Sequence, residues 1–115
     1  MPGSGTAVVN FGAFPGTSDT TATITGQATI LAASLVEAWV IPTPTADHTN
    51  DEHWCETIAV MAGNVSAGVG FTVYAWNTSQ LNEPLQTPGF RDVAPSIGGT
   101  GTRIYGQFTI GWVWN

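Results

Sequence analysis

The clearest pattern in the chain is a strict alternation of residue types from position 103 to position 114. One set of alternating positions is large and apolar apart from one glycine, and the other set is smaller and more polar. Residues two apart in an extended strand lie on one face, so the pattern predicts a strand whose first face packs on a core. The first face reads Ile104, Gly106, Phe108, Ile110, Trp112 and Trp114, and the second reads Tyr105, Gln107, Thr109, Gly111 and Val113.

Most of the remaining chain consists of short runs rich in Thr, Val, Ile and aromatic residues. Turn-forming residues separate these runs, and the chain contains 14 glycines and 7 prolines, while helix signals are nearly absent. Such spacing is typical of antiparallel sandwiches and barrels. We predict an all-β fold, an antiparallel β-sandwich of jelly-roll-like or immunoglobulin/lectin-like form. Its further strands are predicted at residues 6–11, 21–30 with a break near Gly26, 34–41, 54–62 and 70–76, with a turn or short strand at 64–68.

Two of these runs are apolar on both faces. Residues 34–41 and 54–61 therefore have the pattern of central strands, and the prolines and polar residues between them favour a hairpin with a long loop. The sandwich is predicted to be one domain over residues 21–115, since the length suits a single core and no linker divides it.

Two segments fall outside the strand pattern and are predicted to make contacts. Residues 1–20 are rich in Gly, Ser and Thr but carry apolar residues, which favours an N-terminal arm that docks on a partner. Residues 77–102 form one long loop, and such loops in compact domains are often functional. The predicted interface residues are Val8, Val9, Phe11 and Phe14 in the arm and Arg91 in the loop.

The chain carries very little charge. Only 9% of its residues are Asp, Glu, Lys or Arg, the only basic residues are Arg91 and Arg103, and the formal net charge is −6. This balance argues against nucleic acid and anionic membrane surfaces as partners, because both attract basic groups. A surface of Thr, Ser, Asn, Gln and Gly suits a protein pressed against copies of itself or other partners.

Features of targeting and redox chemistry are equally sparse. Residues 1–5 lack the cationic start and apolar run of a signal peptide, and no apolar stretch is long enough to predict a transmembrane helix. Cys55 is the only cysteine, which fits synthesis in a reducing cytoplasm, and we expect it to be buried in the core.

The densest polar cluster covers residues 45–53. Its carboxylates and imidazoles are possible ligands for calcium or zinc, and the metal candidates are Asp47, His48, Asp51 and His53. The cluster nevertheless lacks the glycine of a calcium loop, and its histidines are five apart rather than four. A solvated loop with local turn bonds is the more common structure for such a run, so we expect no metal and no cofactor.

Catalytic arrangements are weakly indicated. Glu37 and Glu56 interrupt apolar strands and, if these strands pair, provide the two carboxylates that a glycosidase needs. Ion pairs with Arg91 or Arg103, or an outward position at a subunit contact, are the simpler alternatives. No serine nucleophile motif or phosphate-binding loop is present, so we predict that the protein is not an enzyme.

Five tryptophans are many for a chain of this length. Trp39, Trp112 and Trp114 lie on predicted strand faces and suit a core or an interface. Trp54 and Trp76 lie at strand ends, where an exposed ring is able to stack on a sugar.

Several segments resemble small proteins encoded in the genomes of tailed bacteriophages and prophages, a family without a defined activity. The resemblance rests on residues 25–28, the stretch 36–39 leading to 45–48 and 51–53, and the ending 105–115. It implies a virion structural component made in the host bacterial cytoplasm, with other copies of itself and the major capsid protein as partners. No site residue is implied, because the family has none assigned.

Three roles in a virion remain open. A capsid decoration protein, which cements capsomers in many copies, agrees best with the small size, the sandwich and the arms. A tail, collar or fibre-base component is the second. A lectin-like module that binds host-surface glycan through Trp54, Trp76 and the loop 47–53 is the third.

Overall fold

The structure is a computed structural model that describes residues 2–78 and 103–115. Within these ranges the chain forms strands and one short helix. No helix in these ranges is long and apolar enough to cross a membrane. The elements are β1 (Gly3–Asn10), β2 (Asp19–Ile24), β3 (Val36–Val40), α1 (Asn50–Cys55), β4 (Ile58–Ser66), β5 (Gly70–Asn77) and β6 (Gln107–Trp114).

The strands form two antiparallel sheets of three strands each. One sheet has the order β1-β6-β3 and the other has the order β2-β5-β4. The edges of the two sheets face each other, since β1 lies against β2 and β3 lies against β4. The predicted all-β antiparallel sandwich is therefore confirmed.

The core lies between the two central strands, β5 and β6. Phe108 and Ile110 on β6 are fully buried, and Trp112 and Trp114 continue the same face, which confirms the predicted phase of this strand. Phe71, Val73 and Ala75 on β5 face them from the other sheet. The strand begins later than predicted, because Gly106 has a left-handed φ of 86° that interrupts extended backbone.

The predicted hairpin of residues 34–41 and 54–61 is wrong. β3 pairs with β6 in one sheet, whereas β4 pairs with β5 in the other. Residues 41–57 therefore cross between the sheets, and part of the run predicted as a strand forms α1 instead. Apolar residues on both faces signalled burial correctly, but burial alone does not specify a pairing partner.

The first twenty residues are part of the sandwich rather than a separate arm. β1 is an edge strand paired along its length with β6. Val9 and Phe11 are 0% and 1% exposed in the core, so their side chains are not available to a partner. Val8 and Phe14 are exposed and remain available for contacts, while Arg91 lies outside the described residues.

Three connections meet at one end of the sandwich. β1 leads into β2 through residues 11–18, β3 leads into β4 through residues 41–57, and β5 ends where β6 begins. We call the described residues 11–18, 41–57 and 103–106 the loop end. The turns 25–35 and 67–69 lie at the opposite end.

Candidate functional site

The loop that contains the predicted metal candidates is bonded tightly to the start of β6. The hydroxyl of Thr45 accepts hydrogen bonds from the backbone N–H groups of Asp47 and His48, each at 3.2 Å, and donates to the carbonyl of Gln107 at 2.8 Å. Oδ2 of Asp47 accepts from the backbone N–H of Gln107 at 3.0 Å. The Asp47 carboxylate thus has a structural role at the start of the central strand β6.

His48 is buried and lies flat against the core. Its ring stacks on Phe108 with 4.2 Å between centroids. Its Nε2 lies 2.6 Å from the carbonyl oxygen of Tyr105, and since a carbonyl only accepts, Nε2 carries the hydrogen. Nδ1 lies 3.3 Å from Oε1 of Glu52, close enough for an ion pair when the ring is protonated but without hydrogen-bond geometry.

His53 is 3% exposed, and both of its ring nitrogens are engaged. Nε2 lies 3.0 Å from the backbone N–H of Thr109, so it must accept, and Nδ1 donates to the carbonyl of Thr49 at 2.7 Å. This pattern requires the neutral ring with its hydrogen on Nδ1. A metal ion would have to displace the Thr109 N–H to reach the only lone pair.

The metal candidates are therefore not assembled into a metal site. Asp47 and His53 are turned to backbone partners, and Asp51 is exposed on α1. Among residues 2–78 and 103–115, no three His, Cys, Asp or Glu side chains are grouped so as to hold a metal ion.

α1 begins with a reciprocal capping arrangement. The Thr49 hydroxyl accepts from the backbone N–H of Glu52 at 3.3 Å, and the Glu52 carboxylate accepts from the backbone N–H of Thr49 at 2.7 Å. The Thr49 N–H holds the pKa of Glu52 below its ordinary value of 4.5, and the neighbouring His48 lowers it further. Thr followed three residues later by Glu is a helix-start signal, and it predicts this helix where the strand pattern did not.

The secured backbone presents exposed aromatic rings at the loop end. Trp54 on α1 is 80% exposed, and Phe14 is 79% exposed with its ring edge-on to Tyr105 at 5.6 Å. Cys55 is exposed as well, contrary to the expectation that it is buried, because it lies in the last turn of α1 rather than in a strand. The loop end thus combines rings open to a partner with a backbone that is held in place.

The carboxylates predicted as a pair are separated by the topology. Glu37 lies on the outer side of β3, and Glu56 is the C-cap of α1. The shared sheet that would have brought them together does not exist, since β3 and β4 belong to different sheets. In the described part of the chain neither carboxylate makes an ion pair, and Arg103 is exposed without one.

A groove of about 480 Å³ opens at the opposite end of the sandwich. Its size is within the range of small-molecule sites, but its chemistry is limited. Glu37 is its one acidic side chain, and no histidine, cysteine or basic side chain lines it. The lining residues are Pro2, Gly3, Ser4, Leu35, Val36, Glu37, Val113, Trp114 and Asn115.

No protein-family model, curated protein or solved structure matches this chain. The surface features that bear on function are therefore the chain's own: the aromatic rings of the loop end and the outer faces of the two sheets.

Proposed function

We propose that this protein is a non-enzymatic structural component of a tailed-phage virion, a capsid decoration protein that stabilises the head through contacts between subunits. The observation that carries the proposal is the number of large apolar side chains left exposed on a chain in which only 9% of the residues are charged. These are Val8, Phe14, Leu31, Leu35, Trp39, Trp54, Met61, Val69, Tyr74, Tyr105 and Val113.

The loop end supplies the strongest contact chemistry. Tryptophan and tyrosine contribute most to protein interfaces when they enter a pocket on the partner, and a ring fixed before binding loses little conformational freedom on contact. The helix that carries Trp54 is held in place, since it is capped by Thr49 and anchored by His53 to β6, and the 80% exposed ring is open to a partner.

The strand edges add a second route to association. β1 and β4 are edge strands, and neither contains a charged residue or a proline. Charged residues and prolines are the usual means by which edge strands avoid pairing with other chains. Edge strands without charged residues or prolines are able to pair with neighbouring molecules, which suits a protein that assembles in many copies.

The virion context comes from the resemblance to tailed-phage proteins, and the partners would be other copies of the chain and the major capsid protein. The lectin-like alternative loses support at the loop 47–53. Two of its polar side chains, Asp47 and His53, bond to the backbone of β6, which leaves Asp51 as an exposed carboxylate on the helix of Trp54.

Reconstitution on capsids tests the proposal. Heads purified from a phage deleted for this gene are incubated with the protein, and occupancy is measured by quantitative mass spectrometry and cryo-electron microscopy. We expect saturable binding at a fixed ratio to the major capsid protein, and Trp54→Ala should weaken it. Thr29→Ala, which shortens an exposed polar side chain at the opposite end, is the control. Binding only to tails would favour the tail alternative, and binding to no particle would refute a virion role.

A further inference from the structure

The outer face of the sheet β2-β5-β4 carries two aromatic rings on its central strand. Phe71, Val73 and Ala75 of β5 point into the core, so the residues between them point outward. Tyr74 and Trp76 are two of these and lie about 7 Å apart along the strand. Tyr74 is 36% exposed and Trp76 is partly exposed.

The neighbouring strand β4 extends the apolar surface around the two rings on one side. On β4, Met61 pairs with Tyr74 and is 55% exposed, and Ala59 pairs with Trp76. Directly paired residues on one face have Cβ atoms about 5 Å apart, so Met61 widens the platform beside the tyrosine ring.

Polar groups frame the rings on the other side. On β2, Thr21 pairs with Tyr74, and Asp19 pairs with Trp76. On β5 itself, the hydroxyl of Thr72 accepts from the side-chain amide of Asn64 at 3.3 Å and keeps its own hydrogen to donate. The face therefore combines two rings with hydroxyl, amide and carboxylate groups at their rim.

The dimensions of the face fit a small ligand better than a protein interface confined to this face. Three strands about 4.8 Å apart and six residues long make a surface of about 14 by 20 Å, or about 280 Å². A stable protein interface buries about 800 Å² on each partner. The face alone is too small for that, and it matches a chain of a few sugar units.

We propose that this face binds a neutral oligosaccharide of two to four units. A pyranose ring has a face of C–H groups that packs on an aromatic ring and a rim of hydroxyls that exchange hydrogen bonds. Tyr74 and Trp76 take two successive sugar rings, while Asp19 and Thr21 accept and donate hydrogen bonds at the rim. Asp19 is the only charged residue among the outward positions of the three paired strands, so an acidic sugar would be repelled.

An NMR titration of the full chain tests the proposal. The probes are neutral oligosaccharides of two to six hexose or N-acetylhexosamine units, with sialylated and phosphorylated oligosaccharides as the anionic comparison. We expect one neutral series to shift the resonances of Thr21, Thr72, Tyr74 and Trp76, with affinity that rises with length up to about four units. Tyr74→Ala and Trp76→Ala should each raise the Kd about tenfold or more.

Trp39→Ala is the matched control, because it removes a partly exposed indole from the other sheet. It should leave the Kd unchanged. Resonance mapping on the unaltered chain decides the question even where a variant folds poorly. The proposal is overturned when no neutral series shifts these resonances, when anionic probes bind more tightly, or when the face instead joins two copies, seen as a doubled mass that Trp76→Ala abolishes. Capsid binding is measured separately, so either proposal can fail alone.

Discussion

The two central strands, β5 and β6, present the same kind of face to the core and opposite kinds to the outside. On β6 the outward Thr109 and Gly111 are both buried. Trp39 and Ile41 lie over Gly111, and the Thr109 hydroxyl donates to the carbonyl of Thr43 at 2.9 Å. On β5 the outward positions hold Thr72 and two aromatic rings that stay partly open.

This difference shows which outer face is already covered by other residues of the chain. The connection 41–57 folds back onto β6, and the outward side chains there are small because other residues of the chain occupy the space. β5 places its larger outward side chains between neighbours that are mostly small. An aromatic pair in this position stabilises the fold less than it would in the core, so it is the better candidate for binding.

The largest effect should come from the inward face of β6. Phe108→Ala should destabilise the protein by about 3–5 kcal/mol, as large-to-small core substitutions of this kind do. Phe108 packs edge-on to Phe11 at 5.9 Å and face-on to His48, so its loss leaves a cavity between the sheets. Denaturant melts measure the change. Tyr74→Ala on the outward face of β5 should cost far less, and equal costs for the two would mean that the contrast between the strands is wrong.

A smaller loss is expected at the contact between α1 and β6. His53→Phe keeps a buried ring of similar shape but leaves the Thr109 N–H without its partner, while the Thr49 carbonyl keeps only the backbone N–H of residue 53. An unsatisfied buried backbone group costs about 1–3 kcal/mol, so the variant should melt at lower denaturant than the wild type. Amide hydrogen exchange at Thr109 should rise more than at Val73 in the core of β5. Unchanged protection at Thr109 would contradict the assigned ring tautomer.

The positions of the strands were more predictable from the sequence than the pairing between strands. Alternation identified β6 and its core face, and the run 70–76 matches β5 within one residue. The adjacent Val8 and Val9 cannot both face inward, and alternation from Phe11 selects Val9 as the buried one. The pairing of β3 with β6 was not predictable, because the two strands are distant in the chain. Apolar residues on both sides of β3 indicate burial but do not indicate which strand it pairs with.

The loop end was predicted less well because the two histidines in its polar run are buried. A run of Asp, His, Thr and Asn has the composition of a solvated turn, yet His48 and His53 are buried against Phe108. Their burial depends on backbone groups at 105 and 109, which no local pattern reveals. The capping signal of Thr49 and Glu52, in contrast, was present locally.

The same substitution at two glycines compares the two outer faces directly. A Cβ at Gly111 would lie 2.6 Å from Cδ1 of Ile41 and 3.1 Å from the Trp39 ring, whereas a Cβ at Gly63, on the outer face of the other sheet, meets nothing within 4 Å. Gly111→Ala should therefore destabilise by about 1 kcal/mol, at the low end for overpacking because both neighbours are side chains able to shift.

Gly63→Ala is the matched control and should be neutral or stabilising by up to about 1 kcal/mol, since alanine restricts the unfolded chain. Thermal melts of both variants give the sign. A stabilising Gly111→Ala would show that the outer side of β6 is open, and the contrast with β5 would fail.

The smallest effect should come from the charge of Glu52 at the start of α1. Because the Thr49 N–H and His48 lower its pKa, the folded state favours the carboxylate more than the unfolded chain does. Its contribution to stability is therefore fully present above the ordinary value of 4.5 and is lost as the pH falls through the lower folded value.

Glu52→Gln keeps an oxygen for the Thr49 N–H but removes the charge. The difference in unfolding free energy between wild type and variant should shrink as the pH is lowered from 6 to 3. Thr49→Ala, which weakens the cap but retains the N–H that lowers the pKa, should keep the wild-type dependence. A wild-type pH profile unchanged in Glu52→Gln would show that the capping carboxylate does not help to hold the loop on β6.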